Sequence, residues 1–130
     1  MDTTTTAQQC RRPLMTGIAL LCWFAALYAL RYGYFEIRPE DDPCLNAPES
    51  LACAVRATLG TTIHWQVFGL GGLVAAVCAL PLRGAPRRWL ATTALFVSAA
   101  ALVLYNARYG APAAALAVVA LASEASIRED

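Results

Sequence analysis

The stretch LMTGIALLCWFAALYALRYG, residues 14 to 33, decides the fold. It carries no charge before Arg31, and its apolar length approaches the roughly 20 residues that a helix needs to cross the hydrocarbon core of a bilayer. Its closing residues Tyr28, Arg31, Tyr32 and Gly33 recur at a constant offset as Tyr105, Arg108, Tyr109 and Gly110, at the end of the third apolar run. Each copy reads as the outer end of a greasy helix. Between and after them, Pro81, the basic turn around Arg83, Arg87 and Arg88, and a tight reversal over Asn106 to Pro112, with Gly110 suited to a left-handed helix cap, divide the chain into helices expected at about 13–32, 58–80, 89–107 and 112–127. The prediction is a single all-α membrane domain, a four-transmembrane-helix bundle. Two duplicated helical hairpins are one way of building it.

Composition agrees with this class. The 130 residues are 58% hydrophobic, more than the roughly half of a soluble domain, and mean hydropathy is +0.50. A net charge of +1 provides no basic field for nucleic acid, so nucleic acid is not an expected partner. All ten basic residues are Arg, and with the abundance of Ala this points to a GC-rich bacterial genome. Met1 to Gln9 is polar and lacks the apolar core of a secretory signal, so the first helix is expected to be an uncleaved anchor and Cys10 not a lipoprotein cysteine.

Residues of about 33–57 break the pattern with Glu36, Glu40, Asp41, Asp42 and Glu49 and with Pro39, Pro43 and Pro48, and they read as an outer aqueous loop. A short helix over Glu49 to Arg56 is expected to lie on the membrane surface with Leu51 and Val55. Arg11, Arg12, Arg83, Arg87, Arg88 and Arg128 gather on one side, with Arg31, Arg38, Arg56 and Arg108 on the other. By the positive-inside rule the chain is a multi-pass protein of the bacterial inner membrane with both termini cytoplasmic. Cys44 and Cys53 then face an oxidising compartment, where a disulfide persists. Closing so short a loop contributes about 2–3 kcal/mol to its order. A redox-active pair is the competing reading, but the spacing is not the Cys-x-x-Cys that depresses a thiol pKa. Cys22 and Cys78 read as small buried apolar residues within helices.

Membrane helices associate through small residues that allow close backbone approach. Gly71, Ala75 and Ala79, with Gly72 and Ala76 beside them, form such a face on the second helix. Ala91, Ala94, Ser98 and Ala101 form one on the third, and Ala113, Ala114, Ala117 and Ala120 one on the fourth. These faces exceed what one bundle needs.

The doubled motif has two readings. In the first, Tyr rings form the interfacial belt, Arg snorkels to water and Gly ends the helix, each independently favoured at a membrane surface. In the second, Tyr28, Arg31, Tyr32, Tyr105, Arg108 and Tyr109 converge at the outer mouth near His64 and hold an anion between two guanidiniums. That anion is either an internal carboxylate, Glu36, Asp41 or Asp42, or the phosphate of an anionic lipid or lipid-linked sugar. Reactive chemistry is sparse. His64 is the sole histidine, which excludes a bis-histidine haem within the chain and leaves zinc short of ligands. No acid lies in mid-span, unlike many proton-coupled carriers. The expectation is a non-enzymatic protein without metal or cofactor, an accessory or scaffold subunit of a membrane complex with membrane lipids and other copies or subunits as partners. A flippase-like carrier for an anionic lipid is the alternative.

Overall fold

Long Ala- and Leu-rich runs favour helix by propensity and period. In the computed structural model every regular element among the described residues, 3–36 and 42–126, is helical. Side chains are described from Leu14 onward, those of Pro43 and Ala125 excepted. Helix α1 runs Thr3–Leu30 and passes directly into a π-helical turn, Arg31–Phe35. It is followed by α2 (Pro43–Asn46), α3 (Leu51–His64), α4 (Val67–Ala79), α5 (Ala85–Val103) and α6 (Ala107–Ser126).

The helix count and boundaries differ from those expected, for identifiable reasons. The expected second span, 58–80, is two helices bent by 54° at Trp65 and Gln66, with Gln66 in the left-handed region at φ 56°. Helix α3 also takes in the short surface helix expected up to Arg56. Helix α5 starts at Ala85 because Gly84, at φ 70°, and Pro86 initiate it. It stops at Val103 because Tyr105 turns left-handed at φ 67°. Gly110 is therefore not a helix cap: it lies inside α6, as does Pro112. Among the described residues one stretch, Leu14–Phe35, is long and apolar enough to cross a membrane, and the bent pair α3–α4 adds a second if read as one broken span. Arg87 and Arg88 at the start of α5, and Arg108 and Glu124 near the ends of α6, interrupt the other apolar runs.

The centre is built from α4, α5 and α6, running antiparallel in sequence. Ala79, Ala91 and Ala120 form one layer, and Ala76, Ala94 and Ala117 the next. Above them Gly72 faces Ser98, and Gly110 faces Ala101. A Cβ on Gly110 would stand 2.9 Å from that of Ala101 and 3.2 Å from the Ser98 carbonyl, so the helix backbones approach as closely as glycine permits. The buried face of α4 is Gly69, Gly72, Ala76 and Ala79, whereas Gly71 is exposed. Ser98 is the largest fully buried side chain, while Leu21, Leu70, Val74, Val77, Val118 and Val119 are exposed. Water-soluble packing has the opposite sense, with large apolar side chains inside.

Helix α1 lies parallel to α5 and is joined to it at Trp23, at Leu27 and, in the π-helical turn that follows, at Arg31. Trp23 donates its indole N–H to the Phe96 carbonyl at 3.0 Å. Leu27 is buried with Ala100, Val103 and Leu104 among Phe24, Phe35, Ile63 and Phe68. Before these, Leu14, Met15, Ile18 and Leu21 are exposed; so are Cys22 and, on α4, Cys78, both expected to be buried, because each lies on the face of its helix turned away from the bundle.

Candidate functional site

The end of α1 and the end of α5 meet at Arg31. The last carbonyls of any helix lack intrahelical partners and carry the negative end of its dipole. Arg31 supplies what α5 lacks: its Nη1 donates to the Val103 carbonyl at 2.8 Å. Its Nε lies 3.2 Å from Glu36 Oε1, and its Cζ stands 3.9 Å above the Tyr105 ring, close enough for a cation–π contact. The Tyr105 hydroxyl closes the cluster by donating to the same Glu36 oxygen. The hydrogen bonds from Tyr105 and then Arg31 hold the Glu36 carboxyl below the usual carboxylate range. Two local features create this geometry. The π-helical turn brings Glu36 back so that its N–H reaches the Arg31 carbonyl, and the left-handed Tyr105 turns its ring off the axis of α5.

The two copies of the motif are built differently. Tyr28 and Tyr32 stack on the outside of α1 with centroids 5.9 Å apart, and both are exposed. In the second copy Tyr105 precedes α6, while Arg108 and Tyr109 lie in its first turn, with the Arg108 Cζ 5.7 Å from the Tyr109 ring. Among the described residues no carboxylate pairs with Arg108, and the anion beside Arg31 is Glu36. Asp42 instead pairs with Arg56 at 3.0 Å and accepts the Cys44 N–H; Asp41 lies outside the described residues. His64 is exposed, edge-on to Trp65.

The disulfide-bearing segment of α2 and α3 is fastened to this end of α1. The Cys44 and Cys53 sulfurs are bonded, with Cα atoms 4.9 Å apart. Ser50 caps α3 by accepting the Cys53 N–H at 3.2 Å. Tyr34 donates to the Ala52 carbonyl and Arg56 to that of Phe35, joining α3 to the π-helical turn.

At the opposite end of the bundle, α5 and α6 are locked by polar groups that the sequence reading did not select. Arg87 is buried and donates to Ser123 Oγ. Glu124, also buried, accepts the Gly84 N–H at 3.3 Å, a carboxylate at a helix N-terminus. Arg and Glu at facing helix ends were the available signal. Asn106 is buried at the α5–α6 break; a buried Asn beside a left-handed residue is not detectable without the fold.

Among the described residues no group of three His, Cys, Asp or Glu side chains is placed to hold a metal ion. What the Arg31–Glu36–Tyr105 cluster does chemically is to neutralise a cation and an anion against two helix ends. In comparison with known proteins, the chain matches no family model, no curated protein and no solved structure.

Proposed function

We propose that this chain is a small, non-catalytic integral protein of a bacterial inner membrane, crossing it four times, by α1, by the chain from the bend at Trp65 through α4, by α5 and by α6. In this reading both termini are cytoplasmic and the protein serves as an accessory or scaffold subunit, assembled with further copies or with other membrane proteins. The observation that carries the reading is the inversion of packing: layers of Ala and Gly inside, large aliphatic side chains outside. A bilayer rewards this arrangement, because lipid accepts the large side chains and helix contact depends on close approach. The parallel course of α1 and α5 supports the topology, since it is compatible with Arg83, Arg87 and Arg88 on the side from which α1 enters. The carrier reading requires both Arg31 and Arg108 for a ligand phosphate. Arg31 already satisfies Glu36 and the Val103 carbonyl, so we favour the scaffold. Blue-native electrophoresis after mild solubilisation tests it. A species larger than one chain with its detergent belt is expected, and a strict monomer with no co-purifying protein would sink the proposal.

A further inference from the structure

Helix α3 has no buried residue, yet it is unlike a helix made for water. Its exposed face carries Leu51, 81% exposed, and Val55, with Leu45, 72% exposed, beside it on α2 and Trp65, 73% exposed, at its far end. The Cys44–Cys53 bond ties α2 to α3, so Leu45 and Leu51 are held at the same end.

The hydroxyls of α3 give the deciding observation. Thr58, Thr61 and Thr62 each donate to a carbonyl four residues back, those of Ala54, Ala57 and Thr58, at 2.9, 2.9 and 2.8 Å. In water such donors need no internal partner; in hydrocarbon they must have one. The single charged side chain of the helix, Arg56, is half-buried, paired with Asp42 and donating to the Phe35 carbonyl. Between Leu51 and Thr62 the outward face of α3 thus carries aliphatic groups and hydroxyls that are bonded within the helix, and exposed His64 and Trp65 stand together at its far end, as amphipathic rings do at a headgroup boundary. A protein partner would find few free donors along that face, and lipid asks for none. Continuity points the same way: Tyr34 and Arg56 fasten α3 to the turn where the apolar stretch Leu14–Phe35 ends.

We infer that α3, with Leu45 of α2, docks into the outer leaflet of the bilayer, a disulfide-braced interfacial helix and not part of an aqueous loop. The 54° bend at Trp65 lets it leave the direction of α4 and spread along the surface. Interfacial helices of this kind seat their apolar face about 5–10 Å into the headgroup and acyl boundary. This inference rests on the membrane reading above.

The test uses the full chain in phosphatidylcholine and phosphatidylglycerol vesicles, with Trp23, Trp65 and Trp89 replaced by Phe and one reporter restored by Leu51→Trp. Leu21→Trp, on the exposed side of α1, is the reference. Acyl-brominated lipid should quench the Leu51→Trp reporter at least about half as strongly as the Leu21→Trp reporter, with little quenching by aqueous iodide. Should the Leu21→Trp reporter respond to brominated lipid while the Leu51→Trp reporter responds only to iodide, the docking is wrong and the membrane reading stands. Should the Leu51→Trp reporter be shielded from both quenchers, protein covers the face and the docking is again wrong. A Leu21→Trp reporter open to iodide and untouched by brominated lipid overturns the membrane reading itself. Val55→Trp is measured in parallel and decides if circular dichroism shows that the Leu51→Trp chain has not folded.

Discussion

Replacing Gly72 by Ala tests the close approach of α4 to α5, because one removable atom is in the way. An added Cβ would stand 2.8 Å from Ser98 Oγ, but 3.4 Å from the Ser98 amide nitrogen and 3.6 Å from the Ala94 carbonyl oxygen. The hydroxyl is the only serious obstacle, and it is held in place by its own bond to the Ala94 carbonyl at 2.6 Å. Overpacking of this kind costs about 1–3 kcal/mol, while exchanging Gly for Ala within a helix returns about 1 kcal/mol. Gly72→Ala should therefore destabilise the bundle by about 1 kcal/mol. Ser98→Ala alone removes a bond internal to α5 and should stay within about 0.5 kcal/mol of the parent. In that background the obstacle is gone and only the propensity gain remains, so Gly72→Ala should stabilise by about 1 kcal/mol. The cycle predicts a favourable coupling of about 2 kcal/mol, measured as the shift in the SDS mole fraction that unfolds the protein in mixed micelles. Gly71→Ala, whose Cβ would meet nothing within 4 Å, is the control and should be neutral to stabilising. A coupling below about 0.5 kcal/mol would refute the packing of Gly72 on Ser98.

Two further perturbations address the outer end. Glu36 has a folded pKa below its ordinary value, so its contribution is complete above the unfolded pKa and is lost as pH falls through the lower folded value. The attachment of α1 should weaken on acidification in the parent and be pH-independent in Glu36→Gln, as read by unfolding at a series of pH values between neutral and acid. Replacing Cys44 and Cys53 by Ser together should cost the segment about 2–3 kcal/mol of order; hydrogen exchange over residues 50–56 should accelerate while that of α5 and α6 does not change.

The helical class was legible because nothing in the chain alternates as a strand does, and the disulfide because only one pair of cysteines falls in the polar segment. The buried faces of α5 and α6 were largely legible too: Ala91, Ala94, Ser98 and Ala101 are all buried, as are Ala113, Ala117 and Ala120. On α4 the expected face, Gly71, Ala75 and Ala79 with Gly72 and Ala76 beside them, is buried at Gly72, Ala76 and Ala79, while Gly71 is exposed and Gly69 takes its place. Its partners decide this, since Ser98 fits only Gly72 and the backbone at Asn106 fits only Gly69. The α3–α4 break was not expected, and the α5–α6 break, expected over Asn106 to Pro112, falls a few residues earlier, for the same reason. They are made by Gln66 and Tyr105, whose left-handed backbones cost about 1–2 kcal/mol each and carry no glycine to mark them. Tertiary contacts offset that cost, and such contacts are invisible along the chain. The doubled motif suffered most, because its second copy straddles one of these breaks and so begins a helix where the first copy ends one.

That asymmetry bears on how a partner could be accommodated. The α4–α6 unit closes on itself through Ala and Gly layers that leave no room for another helix between them. Helix α1 is held differently: by an indole bond to the Phe96 carbonyl, by Leu27, and by the Arg31 bonds to the Val103 carbonyl and Glu36, all in its second half. Only 6% of its apolar window is buried. In lipid, apolar side chains bring little preference for one neighbour over another, whereas a hydrogen bond or a close small-residue contact does. In the membrane reading, the polar bonds at Trp23 and Arg31 therefore fix where α1 stands against α5. Arg31 caps α5 and fixes α1 through partners internal to the chain, the Val103 carbonyl and Glu36, a positional role that requires no exchangeable ligand.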